Sequence, residues 1–292
     1  MDWNGDFVDT TLGITHFDVV IPFGGNIDYL IQTVESVTSQ DYPYWHLYIL
    51  DDNTQIKELV SYVIGLDNPK ITLTHYQAKL GIKRIFDESI STFKNQWGMI
   101  LGADDILDKN YLFQMSRAIQ EFPKSIMIQP SINVIDSESQ EVFPFVDRIK
   151  EILKGSLEAG VVTRYRLGKT LILGNWMYFG ASVFNTKFLK ENRFDPDFQI
   201  AMDYELILRM IEMDSQIVIW PEAKFLYRRH SRSYSNTSKH LDLRLNEEMI
   251  IMQNYSKILW ARHQYFASVV ARAGITMKIF YLLGKIQHKL GK

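Results

Sequence analysis

Short apolar runs alternate with segments of helical spacing over the first hundred residues of the chain. Residues 17–22 form a nearly continuous apolar run that ends at Gly24 and Gly25, which predicts a buried strand and a sharp turn. Residues 28–40 carry apolar side chains at positions 30, 34 and 37, the spacing of one helix face. The alternation continues with predicted strands at 45–50, 71–75 and 97–101 and a predicted helix at 82–93. This pattern favours parallel pairing with crossover helices, so it predicts an open α/β sheet.

Acidic turns follow two of these predicted strands. Asp51 and Asp52 come at the end of the strand at 45–50, and Asp104 and Asp105 follow the strand at 97–101. The carboxyl ends of parallel strands lie at one edge of the sheet, where α/β proteins bind ligands. Two carboxylates at that edge suit a divalent cation on a diphosphate, whereas acidic turns also simply end strands or cap helices. Both interpretations stay open on spacing alone.

The second half of the chain has a less regular pattern. A helical period at 109–121 precedes a strand-like run at 125–134, and residues 142–170 show a mixed pattern. Beyond them, the sequence predicts a strand at 180–184, a helix at 203–214, a strand at 216–220 and a polar loop at 227–238. The composition changes at 236–248, ahead of a basic segment, which marks the clearest boundary in the chain.

Composition narrows the classes of protein that fit this pattern. The chain has 292 residues, 46% of them hydrophobic, so it can bury a large core. Its 32 basic and 34 acidic residues nearly cancel, which argues against a nucleic-acid partner. It contains no cysteine, which excludes disulfides, thiolate-bound metals and a thiol nucleophile. Any metal must therefore bind oxygen or imidazole ligands.

The two ends of the chain differ in charge. Asp2 and Asp6 stand where a signal peptide needs a basic start, so we expect a cytoplasmic protein. Residues 249–292 contain no Asp or Glu but seven Lys or Arg, and charges interrupt every long apolar run, so we expect no membrane-spanning helix.

A basic amphipathic helix is predicted over 276–292. One face carries Ile279, Leu283, Ile286 and Leu290, and the basic residues beside it are Lys278, Lys285, Lys289 and Lys292. Such a helix either lies on an anionic membrane surface, as a peripheral attachment to the inner face of the cell membrane, or packs on protein. The pattern alone leaves both alternatives open.

Two glycine-containing segments resemble nucleotide-binding motifs without completing them. Gly168 and Lys169 end like a P-loop, but Thr163 stands where that motif needs its first glycine. The turn at Gly24 and Gly25 lacks the third glycine of a dinucleotide-binding turn. These departures argue against P-loop ATP binding and against a dehydrogenase.

Taken in chain order, five segments resemble the family 2 glycosyltransferases, whose GT-A fold is a Rossmann-like open mixed α/β sheet flanked by helices. They are FDVVIPFGGN, YLIQTVESVTSQDYPYWHLYILDDNT, WGMILGADDIL, FDPDFQIAMDYELILRM and YRRHSRSYS, and they cover residues 17–238. The resemblance implies a GT-A domain over 1–238, with a nucleotide-sugar-binding half at 17–105 and an acceptor half at 106–238. A C-terminal basic helical extension would follow at 239–292.

The resemblance also implies roles for the residues at the sheet edge. Asp52, with its neighbours Asp51 and Pro22, would hold the nucleotide base, and Asp104 would also contact the ribose. The donor-binding residues implied are Pro22, Asp51, Asp52, Arg84 and Asp104. The implied ligands of a Mg²⁺ or Mn²⁺ ion on the diphosphate are Asp104, Asp105 and His230.

On the acceptor side, Asp203 matches the catalytic aspartate that would deprotonate the acceptor hydroxyl. Trp176 either stacks on the acceptor sugar or is a core tryptophan. The chain departs from the family at Gly102, where many members have Asp, and at Met202, where Glu is usual. Arg84 lies slightly early for the family's arginine, and the two glycines after Phe23 replace an aromatic and an Asn.

The function implied is an inverting, metal-dependent glycosyltransferase. It would move a sugar from a nucleotide diphosphate sugar to a glycan or lipid-linked glycan in bacterial polysaccharide, O-antigen or capsule assembly. Two alternatives are a nucleotidyltransferase, which the lack of Lys or Arg in the turn at 23–26 disfavours, and a non-catalytic sugar-nucleotide-binding or scaffold protein, which Gly102 and Met202 favour. The acidic residues retained at 104, 105 and 203 favour an active enzyme.

Overall fold

The computed structural model describes residues 13–290 apart from 156, 158, 214 and 231–237. Within these residues, ten strands form one sheet. They are β1 (Phe17–Phe23), β2 (Trp45–Asp51), β3 (Ile71–His75), β4 (Trp97–Ile100), β5 (Ile106–Leu107), β6 (Ser125–Ile135), β7 (Glu141–Val142), β8 (Gly160–Val162), β9 (Val183–Asn185) and β10 (Gln216–Arg228). The helices are α1 (Ile27–Thr38), α2 (Lys57–Gly65), α3 (Ile82–Thr92), α4 (Tyr111–Glu121), α5 (Phe145–Lys154), α6 (Arg164–Leu171), α7 (Thr186–Glu191), α8 (Met202–Glu212), α9 (Ser238–Ala261), α10 (Tyr265–Ala273) and α11 (Ile275–Leu290), and Phe179–Ala181 form a 3-10 helix.

The sheet has a parallel half and a mixed half. Strands β3, β2, β1 and β4 lie side by side in that order and are parallel, with a helix between each strand and the next in sequence. Strand β9 is antiparallel to both β4 and β6, and β10 is parallel to β6. The predicted open α/β sheet is confirmed. Between β1 and β4 the strand order changes direction, which is where such sheets open a ligand crevice.

Alternate strand residues face two hydrophobic clusters, one on each side of the sheet. Val20 and Ile100 belong to the cluster that includes residues of α3, α6 and α8. Val19 and Met99 belong to the opposite cluster, which α1 and α4 cover. Because both faces are buried, the central strands read as continuous apolar runs in the sequence.

Strand β10 is longer than the sequence pattern predicts. The apolar run predicts a strand at 216–220, whereas the strand continues to Arg228. Its register against β6 shifts between Trp220 and Lys224, around Pro221, which has no N–H to donate to a ladder. The apolar pattern ends at this bulge, whereas the strand resumes beyond it. This extension carries β10 to the edge of the sheet at which β4 ends.

The segment of mixed pattern at 142–170 and the predicted strand at 180–184 both contain short helices and strands. Residues 142–170 form α5, β8 and most of α6. The 3-10 helix at Phe179–Ala181 occupies the start of the predicted strand, and only the short β9 follows it. The acidic end of the predicted helix at 203–214 and most of the loop at 227–238 lie outside the described residues.

The C-terminal helices pack against the acceptor half of the chain. Met252 and Tyr255 of α9 and Met277 of α11 are buried in the same cluster as α8. The Nζ of Lys285 lies 3.0 Å from an Asp242 carboxylate oxygen, which links α11 to α9. The described part of the extension therefore packs on protein along its buried side, while Ile279 of the predicted basic helix stays exposed and the side chains of Ile286 and Leu290 lie outside the described residues.

By length and composition, one described segment qualifies as a candidate membrane span. Tyr265–Leu283 has a mean hydropathy of 1.5. The count of uninterrupted apolar residues, by contrast, predicts no membrane-spanning helix there. In the structure it is divided between two helices. Helix α10 ends at Ala273, Gly274 has a left-handed φ of 56°, and α11 begins at Ile275. The break separates the segment into two short amphipathic pieces.

Candidate active site

One cavity of about 320 Å³ connects the end of β4 with the start of α8. Its wall includes Asp104 and Asp105, which follow β4, and Asp203 in the first turn of α8. Further polar or charged wall residues are Lys150, Asn175, Tyr178, Tyr227 and Arg244. The fold thus brings Asp104, Asp105 and Asp203, which are far apart in the sequence, to the wall of one cavity.

Asp104 and Asp105 have different environments within this wall. Asp104 Oδ2 lies 2.8 Å from His230 Nε2, and 33% of the Asp104 side chain is exposed. Asp105 is buried, and its Oδ1 accepts a hydrogen bond from the Arg228 N–H at 2.9 Å. Burial and the neighbouring charge of Asp104 raise the pKa of Asp105 well above its usual value. A cation beside the pair would relieve this repulsion.

Arg228 fixes the backbone beneath the two aspartates. Its Nε donates to the carbonyl oxygen of Asp104 at 2.7 Å, and its other guanidinium nitrogens donate to Gln32 Oε1 at 2.7 Å and Ser139 Oγ at 2.9 Å. The guanidinium carbon also lies 4.7 Å from the centroid of the Tyr29 ring. Only 1% of Arg228 is exposed, so its hydrogen bonds lie inside the protein. We therefore assign it the role of supporting the acidic turn.

The side chains at the acidic turn fit a hard divalent cation. Mg²⁺ commonly takes one or two protein carboxylates and completes its shell with substrate phosphates. Among the described residues no three His, Asp or Glu side chains converge, so a nucleotide would supply the remaining ligands. The absence of a side chain at Gly102 leaves room for the Asp105 carboxylate, because a Cβ at position 102 would lie 2.5 Å from Asp105 Oδ2. The ligand role of Asp104, Asp105 and His230 stays a prediction.

Asp203, the predicted base, lies in the cavity wall. Its Oδ1 accepts a hydrogen bond from the Tyr204 N–H at 2.8 Å, and Asn175 Nδ2 lies 3.4 Å from its Oδ2. Burial raises the pKa of Asp203 above the ordinary 3.8, while the positive charges of Arg244 and Lys150 act in the opposite direction. A carboxylate with a raised pKa suits proton abstraction from a hydroxyl near neutral pH.

A residue of the C-terminal extension holds the loop that precedes Asp203. The Glu247 carboxylate on α9 accepts three backbone hydrogen bonds, from Gln199 at 2.9 Å and from Ile200 and Ala201 at 2.8 Å each. Glu247 is buried, with 5% of its surface exposed. Because charge-assisted bonds to backbone amides are strong and directional, α9 fixes the approach of the chain to the predicted base.

A second group of charges lies beside the cavity, and its members Lys150 and Tyr178 line the wall. Arg229 donates to both carboxylate oxygens of Asp147, at 2.5 and 2.7 Å, and the Tyr178 hydroxyl donates to the same carboxylate at 2.6 Å. Lys150 lies over the Tyr178 ring, with its Nζ 3.8 Å from the centroid. Arginine and carboxylate are therefore paired here, and the lysine rests on an aromatic face.

The residues expected to bind the nucleotide lie at the ends of β1 and β2. Asp51 Oδ2 is 2.5 Å from His75 Nδ1, on the neighbouring strand. The two carboxylate oxygens of Asp52 accept backbone hydrogen bonds from Leu80, at 2.5 Å, and Gly81, at 3.1 Å. Asp52 thereby anchors the loop that leads into α3. Its contact to a nucleotide base stays a prediction, which would use the remaining lone pairs of the carboxylate.

Other predicted residues are spread around the site. Pro22 pairs in register with Leu50, close to the acidic end of β2, and Arg84 is exposed on α3. Trp176 is 3% exposed, and its Nε1 donates to Thr170 Oγ1 at 3.0 Å. Its ring has no free face for a sugar, so the structure supports the core tryptophan rather than acceptor stacking.

Sequence reasoning did not identify four residues that the fold brings to the site: Lys150, Asn175, Arg244 and Glu247. Lys150 lies in the segment of mixed pattern, and Arg244 and Glu247 lie in the segment that the composition separates from the main domain. Their contacts join residues far apart in the chain, so no local spacing indicates them. The burial of Glu247 on α9 marks it as a candidate, and burial is known only from the structure.

Comparisons with known proteins agree with this geometry. The profile of the family described as "Glycosyl transferase family 2" matches residues 18–190. The chain is 25% identical over 188 residues to the putative colanic acid biosynthesis glycosyl transferase WcaA of Escherichia coli K12, a match that covers 62% of this chain and 61% of that protein. It is 23% identical over 226 residues to the glycosyltransferase GlyG of Streptococcus pneumoniae, which covers 75% and 72% of the two chains.

A solved structure shares the fold. The crystal structure of residues 1–349 of S. aureus TarS in complex with UDP-GlcNAc superposes with a TM-score of 0.61 at 14% sequence identity. The superposition covers 82% of this chain and 67% of that one. The predicted fold class, GT-A with C-terminal helices, is confirmed. Since the matching profile spans more than half of the residues, this chain belongs to glycosyl transferase family 2.

Proposed function

We propose that this protein transfers a sugar from a nucleotide diphosphate sugar to a glycan or lipid-linked glycan acceptor, with inversion at the anomeric carbon. The observation that carries the proposal is the single cavity whose wall holds Asp104 and Asp105 at one strand end and Asp203 at one helix start. The relative WcaA is described as a colanic acid biosynthesis enzyme, which supports a role in bacterial cell-surface polysaccharide, O-antigen or capsule synthesis. TarS was crystallised with UDP-GlcNAc, which supports a uridine nucleotide as the first donor to test.

The proposed reaction is one displacement. The Asp203 carboxylate takes the proton of an acceptor hydroxyl, and the oxygen of that hydroxyl forms a bond to the anomeric carbon of the donor sugar. The bond from this carbon to the diphosphate oxygen breaks, and its electron pair leaves with the nucleotide diphosphate. Attack opposite the leaving group inverts the anomeric centre. The raised pKa of Asp203 favours its acceptance of the proton.

The proposal includes a divalent cation bound at the acidic turn. Asp104 and Asp105, with His230 beside them, are the residues that would hold Mg²⁺ or Mn²⁺ together with substrate phosphates. Such an ion offsets the negative charge that develops on a departing diphosphate. In this chain, Arg228 holds the turn in place, and the missing side chain at Gly102 leaves space for the Asp105 carboxylate.

Calorimetric titration with UDP, UDP-sugars, other nucleoside diphosphates and the corresponding triphosphates, with and without Mn²⁺, tests the proposal. We expect binding that requires the metal and that is lost in the double variant Asp104→Ala, Asp105→Ala. The matched control is Asp41→Ala, which removes an exposed carboxylate outside the cavity wall. Absence of binding to every nucleotide tested would favour the non-catalytic alternative, and binding of nucleoside triphosphates alone would favour the nucleotidyltransferase.

We also propose that the C-terminal helices attach the protein to an anionic membrane surface on the cytoplasmic side. Helix α10 exposes 84% of Phe266 and 60% of Val269, and α11 exposes Ile275, Ile279 and Leu282 along one face. No acidic residue occurs from 249 to 292, while seven Lys or Arg do. An apolar face within a basic segment is complementary to anionic lipid.

Sedimentation with vesicles of mixed phosphatidylcholine and phosphatidylglycerol tests this attachment. We expect the full chain to sediment with the vesicles, and both removal of 276–292 and the variant Ile279→Ser, Leu282→Ser to weaken this binding. Val60→Ser, at an exposed apolar position on α2, is the control and should sediment like the unchanged protein. Equal binding of all four proteins would leave α10 and α11 as purely structural elements.

A further inference from the structure

Lys150 is a cation in the cavity wall whose contacts leave its charge without a carboxylate partner in the described part of the chain. Its recorded contact is with the face of Tyr178, at 3.8 Å from Nζ to the ring centroid. Both residues line the cavity that also contains Asp203. Burying an ammonium group without a close opposite charge is costly. A lysine in a cavity wall is therefore suited to bind an anionic ligand.

The neighbouring charges are already engaged with each other. Arg229 binds both oxygens of Asp147, and Arg244 Nε donates to Glu248 Oε1 at 2.7 Å. Each arginine thus has its own carboxylate, and each pair is close to neutral. Among the described residues that line the cavity, the remaining positive group is the Lys150 ammonium, whose charged neighbours include both cations and anions.

The electrostatics of Lys150 favour a visiting anion. Burial, together with the charges of Arg229 and Arg244, lowers the pKa of Lys150 to about 7, and the carboxylates of Asp147 and Asp203 only partly oppose this. A phosphate or carboxylate placed against the ammonium would stabilise its charged form and raise the pKa again. The protein therefore gains binding energy at this wall from a negatively charged ligand group.

We infer that Lys150, with Arg244 beside it, binds an anionic group of the acceptor and so orients the acceptor hydroxyl towards Asp203. The acceptor class is then a glycan that carries a phosphate or a carboxylate near its reacting sugar. This inference rests on the proposed glycosyl transfer and specifies its second substrate. The position favours the acceptor over the donor diphosphate, because the charges acting on Lys150 include Asp203 and its neighbours, on the α8 side of the cavity.

The test compares the full-length protein with two lysine variants. Lys150→Met removes the charge and keeps an unbranched side chain at the wall. Lys169→Met is the matched control, because Lys169 also lies over a tyrosine ring, with Nζ 4.0 Å from the Tyr165 centroid, but is exposed and outside the cavity wall. The probes are glucose, glucose 6-phosphate and glucuronate, titrated by saturation-transfer NMR. Calorimetric titration with UDP and Mn²⁺ forms a second arm, and melting temperatures check the fold.

We expect the unchanged protein and Lys169→Met to bind at least one of the two charged sugars about tenfold more tightly than glucose, as one charge-assisted contact provides. Lys150→Met should lose this preference and keep its affinity for UDP. Equal binding of all three sugars by the unchanged protein would overturn the inference, as would a preference that survives in Lys150→Met. Weaker UDP binding by Lys150→Met with the sugar preference intact would assign the lysine to the donor and also overturn it. A failure of the unchanged protein to bind UDP would instead count against the proposed function, and the sugar titration would still report on Lys150.

Discussion

The two regions of this protein that we assign to the donor (17–105) and to the acceptor (106–238) are built in different ways. In the donor half, β1 to β4 pair in parallel and each acidic turn directly follows its strand, so the residues of interest lie where the sequence pattern ends. In the acceptor half, the base candidate Asp203 is positioned by Glu247, which lies more than forty residues later on α9, and its wall includes Lys150 from α5. The positions of the acidic residues in the donor half therefore follow from local sequence, although Arg228 of β10 supports the turn at 104–105 from far along the chain. In the acceptor half, the placement of the site residues themselves depends on long-range packing.

The largest expected effect is the loss of the base in the acceptor half. Asp203→Asn removes the proton acceptor and keeps the shape of the side chain, so we expect turnover to fall about 10²–10⁴-fold. Affinity for the nucleotide should change less than about twofold, because the base acts in the transition state. Steady-state kinetics and calorimetry measure the two quantities, with Asp197→Asn, an exposed position on the preceding loop, as the control. A comparable loss of nucleotide affinity would contradict the division between the two halves.

The next effect comes from the link between α9 and the loop before Asp203. Glu247→Gln replaces a charged acceptor of three backbone N–H groups, so we expect turnover to fall roughly tenfold and stability to drop by about 1–3 kcal/mol. Hydrogen exchange at the amides of 199–201 should speed up while nucleotide affinity stays unchanged. Asp242→Asn, a carboxylate on the same helix that binds Lys285, is the matched control and should leave exchange at 199–201 unaltered. Unchanged exchange in Glu247→Gln would show that the loop is held by other contacts.

The pH dependence of turnover tests the environment of Asp203 itself. Burial raises the pKa of this carboxyl above 3.8, and the base works only when ionised. We therefore expect turnover to fall as the pH is lowered, by about tenfold per unit below the raised pKa, and to begin falling at a higher pH than an unperturbed aspartate would cause. The profile should be recorded at saturating substrate. Turnover that stays full down to pH 5 would mean that Asp203 is either unshifted or not the base.

The smallest effect is expected in the donor half, at Gly102. Gly102→Ala places a Cβ 2.5 Å from Asp105 Oδ2, and the buried carboxylate must shift to accept it. We expect nucleotide affinity in Mn²⁺ to weaken about fivefold, with little change in its absence. Gly25→Ala is the control, because a Cβ at Gly25 meets no atom within 4 Å. If both variants bind the nucleotide equally well with Mn²⁺, the space at Gly102 has no part in holding the acidic turn.

Much of the donor half was predictable because strand ends and turns are local features. The apolar run before Asp104 and the spacing of α1 predict the strand, the helix and the parallel pairing that the structure contains. The bulge at Pro221 shows how this reasoning fails. An interrupted apolar pattern indicated the end of a strand, yet β10 resumes beyond the bulge and brings Arg228 beneath the acidic turn.

By itself, the sequence determined the α/β class, the family and the acidic positions at the strand ends, because hydrophobic period and motif order are properties of neighbouring residues. Only the tertiary structure decided that Trp176 is a core residue, that Glu247 holds the loop before Asp203 and that Lys150 lines the cavity. The physical reason is that burial and charge pairing depend on which distant segments pack together. Those contacts are settled by the whole core, and no short stretch of sequence contains them.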